Sequence, residues 1–377
     1  MGGGLTLRRV QGDVDVLARS GLDTATFIEE FLASVSRALP HVAACVATLD
    51  PATHLLTGTY KFGDLFGNDD HDIEWAQFEY GMPDGTSFIE LIERDRPVAA
   101  DSLTVRDDPH QPRRSRDFIQ PTYGYGDELR MAGRQGSIGW GALALFRGAD
   151  DPLFTPADVD FVATLSSDFA AGLRSGLLVR LAERDRCDTA CGPAVVIVGP
   201  DGHPKQLSVG AEALLREMSR ERNHASADGT ISGLVAGARR YAAGLTTILP
   251  RTRVRVHRGR WLVLHASPLA GAAGDTGDVV VTIEEARPPE IVPLVVAAFE
   301  LTARERDVTQ LVVQGVETKQ IAEALHMSRY TVQDHLKSVF DKADVRSRRE
   351  LISRIYFDQY APRMNSELAP SGWFTSA

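Results

Sequence analysis

The chain has 377 residues, enough for two or three domains that each bury a core of their own. Hydrophobic residues at 43% and charged residues at 24% lie near the globular average, which excludes wholesale disorder, a collagen-like repeat and a disulfide-dense miniprotein. The formal charge of −10 disfavours nucleic acid as an average, but residues 300–363 carry 11 basic and 10 acidic groups, a net +1, so the acidity belongs to the rest of the chain. No window approaches about 18 uninterrupted apolar residues and the first ten residues lack the apolar core of a secretion signal, so a cytoplasmic protein with no membrane partner is expected. Three cysteines without a secretory context read as reduced thiols. Cys187 and Cys191 have no neighbouring His or Cys to complete a tetrahedral site, so no metal is expected there, and no cofactor is expected elsewhere in the chain.

In chain order, residues 24–39 predict a helix, and 41–50 and 54–62 predict two strands around the turn at Asp50-Pro51. Residues 96–103 and the strand 137–147 follow. A helix then opens with Thr155 as cap, Pro156 in its first position and Asp158 in its third. This order of helices and strands over 21–180 resembles a GAF sensory domain. Within it Val162, Leu165, Phe169, Leu173, Leu177 and Leu181 recur at helical spacing, either as a dimer seam or as one amphipathic helix packed on its own domain. The acidic run Asp64, Asp69, Asp70 and Asp72 around His71 lacks the glycine and distal Glu of an EF-hand and reads as a solvated loop. Cys45 sits on a predicted buried strand as core packing.

From 193 to 286 the sequence AVVIVGPDGHPKQLSVGAEALL, with later strands at 252–269 and 278–285, resembles a PAS-like fold. It departs from the usual pattern at Gly199 and Ser208, where that family often has Asp and Asn.

The C-terminal segment is the most legible. Thr302 with Glu305 forms a capping box ahead of the stripe Val308, Leu311 and Val312, and Gly315 can take the left-handed turn that follows. A second helix near Thr318 carries Ile321, Ala322 and Leu325. After the break 326–328, Ser328 caps a third helix with Val332, Leu336 and Val339 inward. Ser347 with Glu350 opens a fourth, bearing Leu351, Ile352, Ile355 and Tyr356. So short a break makes the second and third helices cross steeply. The segments LTARERDV, KQIAEAL, SRYTVQDHLKSVF and VRSRREL resemble the LuxR-type (NarL-type) helix-turn-helix DNA-binding domain over about 60 residues. Glu317 stands where a small hydroxyl residue is usual, and Gln333 and Asp334 depart from the frequent lysine and its neighbour.

The resemblance implies double-stranded DNA as partner, with the third helix in the major groove. On that helix Tyr330, Asp334 and Lys337 lie opposite the inward stripe, flanked by Gln333 and Ser338. Lys337 suits guanine or phosphate, Gln333 suits adenine, and Asp334 suits a cytosine amino group. Phosphate contacts are expected from Lys319, Arg329, Thr331, His335, Arg346 and Arg348, with His335 equally placed to pack or to bond backbone. A domain with so little net charge needs two copies on paired half-sites, so a homodimer is expected. Its contacts are expected from Leu351, Ile355 and Tyr356 and from the seam Leu165, Phe169 and Leu173.

The expected fold is α+β and multidomain: GAF-like and PAS-like antiparallel-sheet sensory domains, then an all-α four-helix LuxR-type helix-turn-helix domain. Its parts are an N-terminal extension 1–20, the GAF-like domain 21–180, a linker 181–192, the PAS-like domain 193–286, a linker helix 287–300, the DNA-binding domain 301–362 and a tail 363–377. The expected function is transcriptional regulation under a signal received by the sensory domains, either of which could take a small-molecule ligand. A partner-binding regulator that has lost its operator is the alternative. No phosphate-cradling loop, zinc-protease motif, serine elbow or dinucleotide fingerprint is present, so catalysis is not expected.

Overall fold

Two runs of alternating and continuous apolar residues fold into two sheets that wind alike. The structure, a computed structural model, describes residues 2–81, 84–107, 114–179, 193–219, 227–256, 261–271 and 274–357. The linker 181–192 and the tail 363–377, with Cys187, Cys191 and Leu181, lie outside them. The chain divides into two units, one of residues 1–179, 193–257 and 261–285 and the other chiefly of 286–377.

In the first unit, helices α1 (Gly2–Arg19) and α2 (Thr24–Ser36) precede strands β1 (Ala43–Leu49) and β2 (Leu56–Gly63). Helices α3 (Asp72–Ala76) and α4 (Phe88–Glu93), strand β3 (Val98–Ala100), helices α5 (Asp101–Asp107) and α6 (Gln120–Tyr123), strands β4 (Tyr125–Gln135) and β5 (Ile138–Gly148) and helix α7 (Pro156–Leu178) follow. Next come β6 (Ala194–Val198), β7 (Pro204–Leu207), α8 (Ala211–Met218), α9 (Ala227–Ala242), β8 (Arg251–Arg255), β9 (Trp261–Gly271) and β10 (Gly274–Glu285). The first sheet has the order β2-β1-β5-β4-β3 and the second β7-β6-β10-β9-β8, so both follow one pattern of connections. Among the described residues every strand pair is antiparallel.

One face of the first sheet is covered by α1, α2 and α7. The cap read at Thr155 is present: its hydroxyl accepts from the Asp158 amide at 3.2 Å, and Asp158 accepts from the Thr155 amide at 2.8 Å. Leu165, Phe169 and Leu173 are buried with Phe27, Phe31 and Val46 in this chain's own core, and the Phe31 and Phe169 rings lie 4.7 Å apart. The seam expected of those three residues is therefore corrected: apolar side chains of the same chain already cover the stripe. Gly172 permits the close fit, since a Cβ there would stand 2.0 Å from the Phe27 ring. The segment expected as an extension, 1–20, is a helix that buries Val10, Val14 and Ala18 in the same cluster.

The other face of the first sheet shares a core with the second sheet. Ala47, Leu49, Leu56 and Tyr80 pack in one cluster with Ile231, Leu234, Val235, Val254 and Leu264. At its edge Arg253 holds Asp50 through Nε at 2.7 Å, Nη2 at 2.5 Å and its own amide at 3.0 Å. Both residues are buried, and Asp50 also accepts from the Ala52 amide at 2.9 Å, which shapes the turn read at Asp50-Pro51. Arg255 adds bonds to the carbonyls of Leu177 at 2.5 Å and Val179 at 3.1 Å.

Removing one partner of a buried charge pair leaves the other uncompensated, at a cost of about 3–5 kcal/mol. Asp50→Ala is accordingly expected to destabilise the first unit by about that amount, read as a lower midpoint in urea unfolding. A midpoint unchanged from wild type would refute this account of the junction.

Candidate nucleic-acid interface

The second unit opens with α10 (Pro288–Ala298) and continues with α11 (Ala303–Val313), α12 (Thr318–Ala324), α13 (Arg329–Lys342) and α14 (Arg348–Ile352), whose last turn widens over Ser353–Phe357. The capping signals hold as read. Thr302 Oγ1 accepts from the Glu305 amide at 3.3 Å, Ser328 Oγ from the Thr331 amide at 3.0 Å and Ser347 Oγ from the Glu350 amide at 3.1 Å. At Glu317, where the usual hydroxyl is missing, the Gln320 side chain instead accepts from the Glu317 amide at 3.3 Å.

Three helices end alike. Gly315, His326 and Asp344 take positive φ of 82°, 53° and 50°. The next amide in each case returns to a carbonyl five residues back: Val316 to Leu311 at 3.0 Å, Met327 to Ala322 at 2.9 Å and Val345 to Phe340 at 2.9 Å. These closures keep the connections short and set where each helix points. Val308, Val312, Ile321, Ala322, Val332, Leu336 and Val339 form the buried interior.

Glu305 fixes α13 against α11. Its carboxylate accepts from Ser338 Oγ at 2.6 Å, Lys342 Nζ at 2.6 Å and the Thr302 amide at 2.7 Å. Burial pushes its pKa upward, but the Lys342 and Ser338 hydrogen bonds and the Thr302 amide outweigh that and hold it at about 2. In the sequence Glu305 showed only as a capping residue; the partners 33 and 37 positions away were not legible.

With α13 held this way, Arg329, Tyr330, Thr331, Gln333, Asp334 and Lys337 are exposed, Tyr330 at 77%. Tyr330, Gln333, Asp334 and Lys337 follow helical i, i+3, i+4, i+7 spacing, which gathers them into one stripe. His335 is half-buried, Lys319 is exposed on α12, and Arg346 is exposed in the turn before α14. The Thr331 hydroxyl lies 2.8 Å from that of Ser328, within the helix cap.

Four sequence assignments are corrected. Ser338, expected on the flank of the outward face, turns its Oγ toward Glu305 and donates to it at 2.6 Å. Arg348 donates through Nη2 to the Val316 carbonyl, and also to that of Val312 at 3.4 Å, so it closes α11 rather than presenting that nitrogen to phosphate. Leu351 and Ile355 are fully buried in the unit's own core and offer no contact surface to a second copy. The Tyr356 side chain lies outside the described residues. Among the described residues, no group of three or more His, Cys, Asp or Glu side chains could hold a metal ion. No described helix is long and apolar enough to cross a membrane.

Two helices joined by the short break 326–328, the second capped by Ser328 and held by an adjoining helix, match a helix-turn-helix. Residues 300–355 match the family described as bacterial regulatory proteins, luxR family. The spore germination protein GerE of Bacillus subtilis (strain 168) is 40% identical over 52 residues, which cover 14% of this chain and 70% of that protein. The chain belongs to the LuxR family of bacterial regulatory proteins. The monoamine regulon transcriptional regulator of Klebsiella aerogenes is 43% identical over 56 residues, 15% of this chain and 25% of that protein. The transcriptional regulatory protein DesR of Bacillus subtilis (strain 168) is 39% identical over 57 residues, 15% of this chain and 29% of that protein. The chain thus spans only about a quarter to a third of the length of these two regulators. Among solved structures, the phage VqmA–DPO complex aligns with 45% of this chain and 82% of that one, at 16% identity and a TM-score of 0.24.

A carboxylate whose folded pKa is depressed contributes stability that is present above its unfolded value, near 4.5, and is lost as pH falls toward about 2. The second unit is therefore expected to weaken between pH 4.5 and 2, and Glu305→Gln to flatten that part of its profile. Thermal unfolding of both proteins across this range measures it; superimposable profiles would count against the assignment. At the end of α11, Gly315→Ala forces a Cβ into the left-handed region and is expected to cost roughly 1–2 kcal/mol, read by the same unfolding measurement.

Proposed function

We propose that the protein is a transcriptional regulator that binds double-stranded DNA in a sequence-specific way, as a homodimer, with α13 in the major groove. The observation that carries this is the stripe Tyr330, Gln333, Asp334 and Lys337, exposed on a helix whose opposite side is anchored by Val332, Leu336, Val339 and the Glu305 bonds. An α-helix fits the B-form groove, and hydrogen-bonding side chains at one helical spacing can meet successive base edges. Lys319, Arg329 and Arg346 are exposed cations suited to phosphate, and Thr331 and His335 lie near the start of the same helix. The weak net charge of this segment favours two copies on paired half-sites over one copy held by charge alone.

The first unit is the half that receives the signal. Its two antiparallel sheets support reading residues 21–180 as GAF-like and 193–286 as PAS-like, with a small molecule as the signal and no catalysis. A location in the cytoplasm, where the DNA is, accords with this role.

Selection of bound sites from genomic fragments by the full chain, followed by gel shift of the selected sequence and of random duplex at several salt concentrations, tests the proposal. Binding to the selected site should exceed binding to random duplex, and both should weaken with salt. Equal affinity for the two sequences would leave the partner-binding alternative standing. Lys337→Ala is expected to weaken the selected site by about 1–3 kcal/mol. Ser338→Ala, which removes a bond to Glu305, should lower stability by about 1 kcal/mol while leaving the base preference unchanged.

A further inference from the structure

Beneath the first sheet lies a cavity of about 50 Å³. Its lining is mostly apolar, with Leu56, Leu65, Trp75 and Phe88 among the walls. The charged side chains that reach it pair with one another, Lys61 with Asp72 and Arg130 with Glu79, while Arg130 Nε is left without a hydrogen bond. Lys61 donates to Asp72 at 2.5 Å, Asp69 at 2.8 Å and the Asn68 carbonyl at 2.5 Å. Arg130 donates to Glu79 and, at 3.1 Å, to Glu128, with its guanidinium 3.8 Å from the centre of the Phe88 ring. The acidic run expected as a solvated loop is thus partly internal, because Asp72 is buried and partners Lys61. The Cys45 thiol, also in the wall, is pushed by burial up to about 12 and stays protonated.

Two features distinguish this cavity from a packing gap. Thr59 Oγ1 is buried in the lining without a hydrogen-bond partner, so a donor and acceptor stands unused where water is scarce. The wall is completed by Gly229, on the helix α9 that belongs to the second sheet's half; a Cβ there would be 3.7 Å from Asp72 Oδ2 and 3.9 Å from Thr59 Oγ1. At that point the second half presents backbone only.

We propose that this cavity binds a small molecule without net charge, with an apolar body against Trp75 and Phe88 and one hydroxyl-like head on Thr59, so that the bound molecule touches both sheet-bearing halves at once. A charged ligand would enter a site whose own charges are mutually neutralised, and its desolvation would go uncompensated. A neutral body loses little water on entry, and its single polar group finds the one side-chain hydroxyl left open to it. This deepens the reading of the first unit as the signal-receiving half and rests on that reading for its purpose. Its test needs no DNA, so failure here leaves the gel-shift result standing, and the reverse.

Three probes of one body separate the outcomes: benzyl alcohol, benzoate and benzylammonium, titrated into the full chain with tryptophan fluorescence and thermal unfolding as readouts. Benzyl alcohol is expected to perturb Trp75 saturably and to raise the unfolding temperature, with both ions at least about tenfold weaker, as loss of roughly 1.4 kcal/mol implies. Thr59→Val, which keeps the side-chain shape, should weaken benzyl alcohol by about tenfold, the scale of one lost buried hydrogen bond. Trp75→Phe should remove the fluorescence change while the thermal shift remains. Gly229→Leu should abolish both by filling the space, in a protein whose unfolding remains cooperative. Equal binding of the three probes, undiminished binding to the Thr59 variant, or no saturable response to benzyl alcohol would each overturn the proposal.

Discussion

The Glu305 carboxylate accepts three hydrogen bonds, from the amide that begins its own helix and from two side chains one turn apart on α13. Everything on the outward side of α13 depends on that attachment. A helix packed only through Val332, Leu336 and Val339 could roll on its apolar stripe, because dispersion contacts are individually weak and not directional. Hydrogen bonds to an ion are directional and stronger, and these two are placed at positions 338 and 342, on the flank between the core and the exposed stripe. They set the rotation of the helix, and the rotation decides which side chains face outward. The left-handed closures at Gly315, His326 and Asp344 then fix where each helix stops, so position and rotation are both specified by polar geometry around a small apolar interior.

The first unit solves a different problem. The two sheets share one strand order, and the first is covered on both faces. The first sheet uses α1, α2 and α7 on one side and, on the other, surface that belongs to the second sheet's half. The polar groups at this junction are not left to water: Asp50 and Arg253 satisfy one another, and Arg255 takes two carbonyls at the end of α7. Buried charges recur through this half, with Arg114 and Arg130 both reaching Glu128 in its interior. Their pairing keeps the desolvation cost in check.

What the sequence disclosed follows from the range of the interactions concerned. Capping pairs such as Thr302 with Glu305 act over three residues, and the inward stripe of α13 acts over seven, so both can be read directly. The strands at 41–50, 54–62 and 137–147 were visible as local patterns, whereas β4, which joins β5 to β3, was not read. Nor was the fate of an exposed or buried face. Leu165, Phe169 and Leu173 form the same stripe whether it meets α1 and α2 or a second chain, and only tertiary packing decides between them. Leu351 and Ile355 posed the same ambiguity and are likewise internal. Ser338 belonged to the flank of the outward face by helical angle, yet its short side chain is captured by Glu305, 33 positions earlier. The seat at Thr59 was hidden for a similar reason, since its far wall comes from Gly229 on a different sheet's helix.

The interior common to both sheets bears on inheritance and engineering. Were either half of the first unit transplanted into another scaffold, it would carry an open hydrophobic flank and a stranded ion, Asp50 or Arg253 according to which half was moved. Recombination therefore has no clean cut point between them, and the pair is expected to travel as one cassette, with freedom to swap confined to the stretch ahead of the helix-turn-helix.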